Sequence, residues 1–568
     1  MQQKKRSRAS HPKVRTGCNT CKARRVKCDE LRPSCQKCLS TGRTCEGYKN
    51  TREWVIIVAP PPPVTDGFED DRSRRHFDYF RTHAVYELSW FFDGSNWGSL
   101  VLKESHSSAA VRHAVIALAC SHQDFRDNLT VAAQAPQYAY ATQQYSKAIR
   151  NLIKETSQDV QESRLKALMC GLLFISIEIL RGNDTAARHH LDGCLKIVRE
   201  AQTRMGTLFR PTEVHPLERD RLEAEAHLCE EIIPMFSRID VQASAVGLLG
   251  GEPTNEASDS SSRDSPAPTE DEVLLLSSFQ TINQASYAML LLANRLHRFL
   301  NMYSDIYRNQ CVRPIPADIL AEKCVLYHQF LRWESAIQPL LATTERQHDY
   351  DKLTIMRLHN RTGLLLSESC LDIEECVHDN YQWAFEGIVN LTAELKHRTS
   401  SSDEEGASES GSSTTSERGQ SSNSTADPSN TSTPALEKGM PRQCLRPFFC
   451  LDSGVIFALY WTALKSRDGT LRRRAVALLE HPAQEGVWVG PIQAAIAKRV
   501  IEIEEGQLYE QYPPPARIKR PEDIHENMRV HSVTPDIDKA RRRAKLVILQ
   551  KPHGLEGEWH ERVECARW

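Results

Sequence analysis

Between about residues 72 and 505, apolar positions recur at three- and four-residue intervals, the repeat of a helix with one buried face. From Arg75 to Phe92 the repeat runs through Phe77, Phe80, Ala84, Leu88 and Phe91. That is about two heptads, short of the three or four a coiled coil needs, so it reads as an amphipathic helix docked on a larger body. Further helices are expected at 108–122 (SAAVRHAVIALACSH), 136–154 and 162–180, the last closed by Gly182-Asn183. Another is expected at 184–201, with Asp184 as its cap, and the pattern continues at 271–300, 316–343, 350–378, 381–397, 446–465, 470–480 and 487–505. After about 506 the period changes. Leu546, Val547, Ile548 and Leu549 are a run of strand formers, and a turn containing Gly554 and Gly557 leads into Trp559–Cys565. This predicts a small β-hairpin closing the body. The fold class is mainly α, with a large all-helical body and a short C-terminal β-hairpin.

Three stretches break the helical pattern. Residues 49–71 hold Ala59 followed by four prolines, an extended and stiff linker. Residues 250–270 are rich in Gly, Ser, Pro, Asp and Glu, and residues 399–433 contain 19 Ser or Thr among 35. Neither buries enough apolar surface to offset the entropy of ordering, so both are expected to be disordered. The second could serve as a phosphorylation platform or a weak acidic activation segment, but it lacks aromatic residues, and its composition favours a passive surface loop.

The net charge of −2 hides a division. Residues 1–50 carry 14 Lys and Arg against 3 Asp and Glu, a net +11, which leaves −13 for the rest. A basic N-terminal arm on an acidic body fits a nucleic-acid-binding module attached to a domain that does not itself bind nucleic acid. Lys4, Lys5, Arg6 and Arg8 form a cluster that can act as a nuclear import signal or add non-specific phosphate affinity. The opening MQQKKRSRAS has no apolar core of a secretory signal, and no stretch reaches the apolar length of a membrane span.

Inside the basic region, six cysteines repeat one spacing: Cys18, Cys21, Cys28, then Cys35, Cys38, Cys45, each C-x2-C-x6-C and offset by 17. A C-x2-C step places two thiolates on one tight turn, as a tetrahedral zinc ion requires. Two separate four-sulfur sites need eight cysteines, so six serve two zincs only if two sulfurs are shared. The rival is a disulfide framework, which needs an oxidising compartment that nothing in the sequence marks. After the first C-x2-C comes Lys22-Ala23-Arg24-Arg25-Val26-Lys27, and after the second Leu39-Ser40-Thr41-Gly42-Arg43-Thr44. Only the first half is strongly cationic, so it is the half expected to face DNA.

The segment CNTCKARRVKCDELRPSCQKCLSTGRTCEGY, residues 18–48, resembles the fungal Zn2Cys6 binuclear cluster, the DNA-binding module of fungal transcription activators. The resemblance implies two Zn2+ per chain, bridged by Cys18 and Cys35, and a cis Arg32–Pro33 bond between the halves. It places Arg24 and Arg25 where the family's paired basic residues touch a CGG triplet; an arginine fork can bond guanine O6 and N7. Lys22, Lys27, Lys37 and Arg43 are read as phosphate contacts; the alternative, open above all for Lys37 and Arg43, is that they only neutralise the negative charge of the thiolate cluster. The strings AVRHAVIALA and YSKAIRNL resemble the helical regulatory domain common behind such clusters. The expected organisation is a basic arm (1–15), zinc module (16–48), linker (49–71), helical regulatory domain in three parts (72–249, 271–398, 438–505) separated by disordered segments (250–270, 399–437), and a tail (506–568).

The implied function is a nuclear, sequence-specific transcription factor for RNA polymerase II, binding double-stranded DNA with CGG triplets and controlling a metabolic or secondary-metabolite gene set. Monomer and homodimer are both open, and coregulators or the transcription machinery are the expected protein partners. The alternative is a corepressor or scaffold whose cluster reads no specific site. No phosphate-binding loop, nucleophile elbow or HExxH motif is present, so no catalytic residue is expected. His189, His190, Asp192 and Cys194 are read as structural, because adjacent helical histidines point to different faces. The eleven other cysteines read as small packing residues.

Overall fold

The computed structural model describes residues 16–48, 68–88, 94–127, 136–157, 160–208, 232, 235–242, 276–408, 448–509 and 520–568. The basic arm, the proline run, Phe91, Cys229, Cys444 and the 250–270 segment lie outside these residues. The chain divides into two compact units at Asp66/Gly67.

In the first unit, two short helices, α1 (Asn19–Ala23) and α2 (Gln36–Leu39), carry the two C-x2-C steps. The second unit begins with α3 (Asp71–Tyr79), which passes through a π-turn at Phe80–Ala84 into α4 (Val85–Leu88). Asp70 starts it as a capping box: its carboxylate accepts the Ser73 N–H at 2.6 Å and Ser73 Oγ accepts the Asp70 N–H. Phe77, Phe80, Ala84 and Leu88 are buried, so this is the docked amphipathic helix the apolar spacing implies.

Next come α5 (Gly94–Ser107), α6 (Ala109–Arg126), α7 (Pro136–Thr156), α8 (Val160–Arg181) and α9 (Asp184–Leu208). Ser108 caps α6 through the Val111 N–H at 3.2 Å. Glu155, near the end of α7, adds its carboxylate to the same helix start, accepting from Ala110 N–H at 3.0 Å and from Ser108 Oγ at 2.6 Å. Gly182, at φ +72°, closes α8: its N–H bonds to Ile179 O and the Asn183 N–H to Glu178 O. The cap of α9 is Asn183, whose Oδ1 accepts the Ala186 N–H, one residue before the expected Asp184. These helices enclose a first core around Val115, Leu118, Leu173 and Phe236.

A second core is built by α10 (Ile282–Ser304), α11 (Ala317–Ala336), α12 (Gln338–Thr343), α13 (Gln347–Ser369), α14 (Gln382–Ser408), α15 (Ile456–Lys465), α16 (Gly469–Leu479) and α17 (Gly490–Tyr509). Thr281 and Asp468 cap α10 and α16. The 350–378 expectation breaks at Ser369 and resumes as a 3-10 turn, Glu375–Tyr381. Helix α14 runs to Ser408, beyond the expected end at 397. The expected helix at 446–465 starts only at Ile456. Before it, β1 (Phe448–Cys450) pairs in parallel with β2 (Ala483–Glu485), which pairs with β3 (Trp488–Val489). The reason is Glu485: its carboxylate accepts the N–H groups of Gly454, Val455 and Ile456, each at 2.9 Å, and so caps α15 from the sheet. Phe449 and Leu451 insert into the first core, while the residues from Ile456 onward belong to the second.

The predicted hairpin is two strands of a three-stranded antiparallel sheet, with β4 (Val530–Asp538), β5 (Arg543–Gln550) and β6 (His560–Arg567) in that order. Ala544, Leu546, Ile548 and Val533 face the second core. The start of β4 is held by buried charges. Glu504 on α17 accepts from Arg467 at 3.0 Å, from Arg472 at 2.8 Å and from the Val530 N–H at 2.8 Å. Glu375 receives Lys465 at 2.8 Å, Arg467 at 2.9 Å and Arg308. Arg529 grips Asp379 with both fork nitrogens at 2.8 and 2.7 Å. Burial opposes charge on Glu375, but its three cations hold the carboxyl well below the usual range. Burial draws the Lys465 ammonium down to about 7 despite Glu375, so Lys465 is the member that sheds its proton as pH rises.

Removing one partner from such a cluster leaves an uncompensated buried charge. Glu504→Ala is expected to destabilise the chain by about 3–5 kcal/mol in denaturant unfolding; a loss within experimental error contradicts this role. Glu526 supplies a pH test. Burial raises its carboxyl, but His531 and the N–H groups of Glu375 and Cys376 outweigh that and lower it to about 2. Its stabilisation is present above the ordinary glutamate pKa and is lost as pH falls toward 2. Glu526→Gln should therefore show a smaller loss of stability between pH 5 and 3, read by thermal unfolding across that range.

Candidate metal centre and nucleic-acid interface

The two halves of the N-terminal unit are built alike. Cys18 precedes α1 and its Sγ accepts the Cys21 N–H at 3.3 Å; Cys35 precedes α2 and its Sγ accepts the Cys38 N–H at 3.4 Å. Each C-x2-C step is thus a helix cap with sulfur as the capping atom. Cys28 and Cys45 arrive from the irregular segments that follow. Gly17 allows the closure, since a Cβ there would stand 2.9 Å from Cys28 Cβ.

The six sulfurs fall into two four-sulfur groups: Cys18, Cys21, Cys28, Cys35 and Cys18, Cys35, Cys38, Cys45. Cys18 and Cys35 are in both. Cys18–Cys35 and Cys21–Cys35 sulfurs lie 3.6 Å apart, and Cys18–Cys38 sulfurs 3.8 Å apart. Tetrahedral zinc with Zn–S near 2.3 Å separates its ligands by about 3.8 Å, so the donor set fits two zinc ions with two shared thiolates. The Arg32–Pro33 bond between the halves is cis. Burial raises the thiols of Cys18, Cys21, Cys35 and Cys38, so zinc binding at these four sulfurs displaces protons. Cys28 is lowered to about 7, its burial outweighed by the N–H groups of Cys18 and Glu30.

Residues that the cysteine pattern does not reveal tie the halves together. Asp29 accepts N–H groups from Leu31 at 3.2 Å, Gln36 at 3.1 Å and Lys37 at 2.8 Å, bracing the start of α2. Thr20 Oγ1 accepts the Glu46 N–H, and the Asn19 N–H bonds to Gly47 O. Tyr48 donates to Leu31 O at 2.7 Å, and the Arg32 guanidinium lies 5.3 Å from its ring centroid. The one readable sequence signal was Asp29, an acid directly after the third cysteine in a basic run.

Lys22, Arg25 and Lys27 are exposed on the first half, and Lys37 and Arg43 on the second. Arg25 follows α1 at φ +57°, so the chain turns sharply there. Arg24 is half-buried, and its Nη1 donates to Thr41 Oγ1 of the second half at 3.2 Å. One of its five donors is thereby spent within the module. In the second unit, His189, His190, Asp192 and Cys194 do not converge: His190 bonds Tyr145, Asp192 pairs with Arg188, and Cys194 is buried against Gly171.

Residues 16–54 match the Fungal Zn(2)-Cys(6) binuclear cluster domain, and residues 75–403, over half the chain, match the Fungal specific transcription factor domain. The chain belongs to the fungal zinc-cluster transcription factors. This family is non-enzymatic, and its cluster holds two zinc ions on six cysteines. Among similar proteins, the transcription regulator lscL of Purpureocillium lilacinum is 33% identical over 32% of this chain and 48% of its own length. The aspercryptin biosynthesis cluster-specific transcription regulator atnN of Emericella nidulans is 28% identical over 36% of this chain and 38% of its own. The transcriptional regulatory protein moc3 of Schizosaccharomyces pombe is 54% identical over 9% of this chain and 10% of its own. The chain thus spans less than half the length of these curated relatives. No solved structure matches it.

Zinc analysis of the zinc-cluster factor should give two ions per chain. Cys18→Ser should release both, since each loses a ligand, whereas Cys28→Ser should weaken chiefly one. Retention of one tightly held ion by Cys18→Ser would contradict the sharing of that sulfur.

Proposed function

We propose that this zinc-cluster factor acts in the nucleus as a sequence-specific regulator that recognises CGG-containing DNA through the Cys18–Cys28 half of its cluster. The observation carrying this reading is the asymmetry of a nearly symmetric module: both halves share the sulfurs, but Lys22, Arg24, Arg25 and Lys27 crowd one of them. Arg25, exposed at the end of α1, reads guanine in the major groove. Arg24 supports it from its bond to Thr41 and presents its remaining donors to the same triplet. Lys22, Lys27, Lys37 and Arg43 engage phosphates and fix the orientation. The controlled genes are a metabolic set, for which the relative named for aspercryptin biosynthesis favours secondary metabolism. The helical body, divided as 72–249, 271–398 and 438–505, serves as the regulatory domain and engages coregulators or the transcription machinery. Helix α3–α4 packs into the body instead of forming a zipper, so homodimerisation and half-site spacing would be set elsewhere.

Arg25→Ala is expected to weaken binding to a CGG duplex by about 1–3 kcal/mol and to flatten the preference over a scrambled triplet. A wild-type chain with no such preference would favour the corepressor or scaffold reading.

A further inference from the structure

The β4–β5 turn and its surroundings form a cationic surface on an acidic unit. Lys539, Arg541, Arg542, Arg543 and Lys545 fall within seven residues, and Arg567 joins them from β6. The acids on these strands at the same end are Asp536 and Asp538. Asp538 pairs with both Arg541 at 3.1 Å and Arg543 at 3.6 Å, yet those arginines remain 71% and 51% exposed. Lys545 and Arg567 are also exposed. Arg543 and Arg567 stand directly opposite one another in the β5–β6 register, where like charges oppose pairing. The turn is anchored, since the Lys539 side chain lies over Gly182 at the end of α8 and Arg542 Nε donates to Trp568 O at 2.9 Å.

We infer that this end of the sheet is a second DNA-backbone contact, taking phosphates that flank the element read by the zinc cluster. The inference rests on the DNA-binding reading above. Residues 51–568 carry a net −13, so the body approaches DNA favourably only through a locally basic face. Residues 49–67 between the described parts of the two units can span up to roughly 60 Å when extended, nearly two turns of duplex. That reach makes flanking phosphates accessible. Contacts of this kind add affinity and salt dependence without sequence preference.

The test is a salt titration of binding by the full-length, zinc-loaded chain, on a long CGG duplex and on one trimmed to the immediate flanks of the triplet. The triple variant Arg541→Gln/Lys545→Gln/Arg567→Gln should lower the slope of log K against log salt on the long duplex by about two to three, one per lost phosphate contact. Its discrimination between CGG and a scrambled triplet should not change. Arg541→Lys/Arg567→Lys, which keeps the charge, should retain the wild-type slope. An unchanged slope in the triple variant overturns the inference. So does new self-association without a change in slope, which would assign these cations to keeping the edge strand β6 unpaired. If the wild-type chain shows no CGG preference but the triple variant still loses slope, the specific-readout proposal falls and the phosphate surface stands.

Discussion

The N-terminal unit depends on one shortage: six sulfurs must satisfy two four-coordinate ions. Its described part is 33 residues long, and its buried apolar set consists of cysteines, so no hydrocarbon core is available to stabilise it. Two zinc ions held on these sulfurs, with Cys18 and Cys35 in both groups, would fix the two halves together where side-chain packing is scarce. That lock gives a module this small a rigid surface on which Arg25 can be held. The bonds from Asp29, Thr20 and Tyr48 then refine an arrangement the metals impose.

The second unit solves the opposite problem. It has ample apolar surface for two cores, but its outer layers are fastened by charges taken out of water. Glu375 and Glu504 gather Arg308, Lys465, Arg467 and Arg472 from separate elements, and the backbone of β4 completes the set through Val530 and His531. A hydrophobic contact would tolerate sliding of β4 along α17. A cluster in which each carboxylate serves several donors does not, because any shift strands a buried charge. The arrangement trades stability for a fixed position of the sheet, and that position sets where its cationic end points relative to the body.

Much of this was legible in the residues. The cysteine spacing carries the metal count, and the 3.6-residue repeat carries most helices of the body, because both depend on local intervals. What escaped depends on distant partners. Residues 446–455 look helical until Glu485, some thirty residues later, is seen to cap α15 and leave the preceding segment as β1. Strand β4 holds Pro535 and two aspartates, which weakens any strand signal, and it exists because β5 and the charged cluster recruit it. The displaced cap at Asn183 follows from the left-handed Gly182 before it, a backbone event that composition does not report. Arg24 read as a simple partner of Arg25, and only the fold shows its tie to Thr41.

The insertion of Phe449 and Leu451 into the first core bears on how the chain matures. The other buried residues of that core all precede 240, yet Leu451 N–H bonds to Leu88 O, Gln242 to Leu451 O and Arg238 to Asp452. During synthesis these helices must wait for roughly two hundred further residues before their last wall arrives. Among the described residues, Phe449 and Leu451 are what pack against Phe125 and Leu88 from that late segment. The first core is therefore complete only once a segment some two hundred residues downstream has been made, an order that the finished architecture conceals.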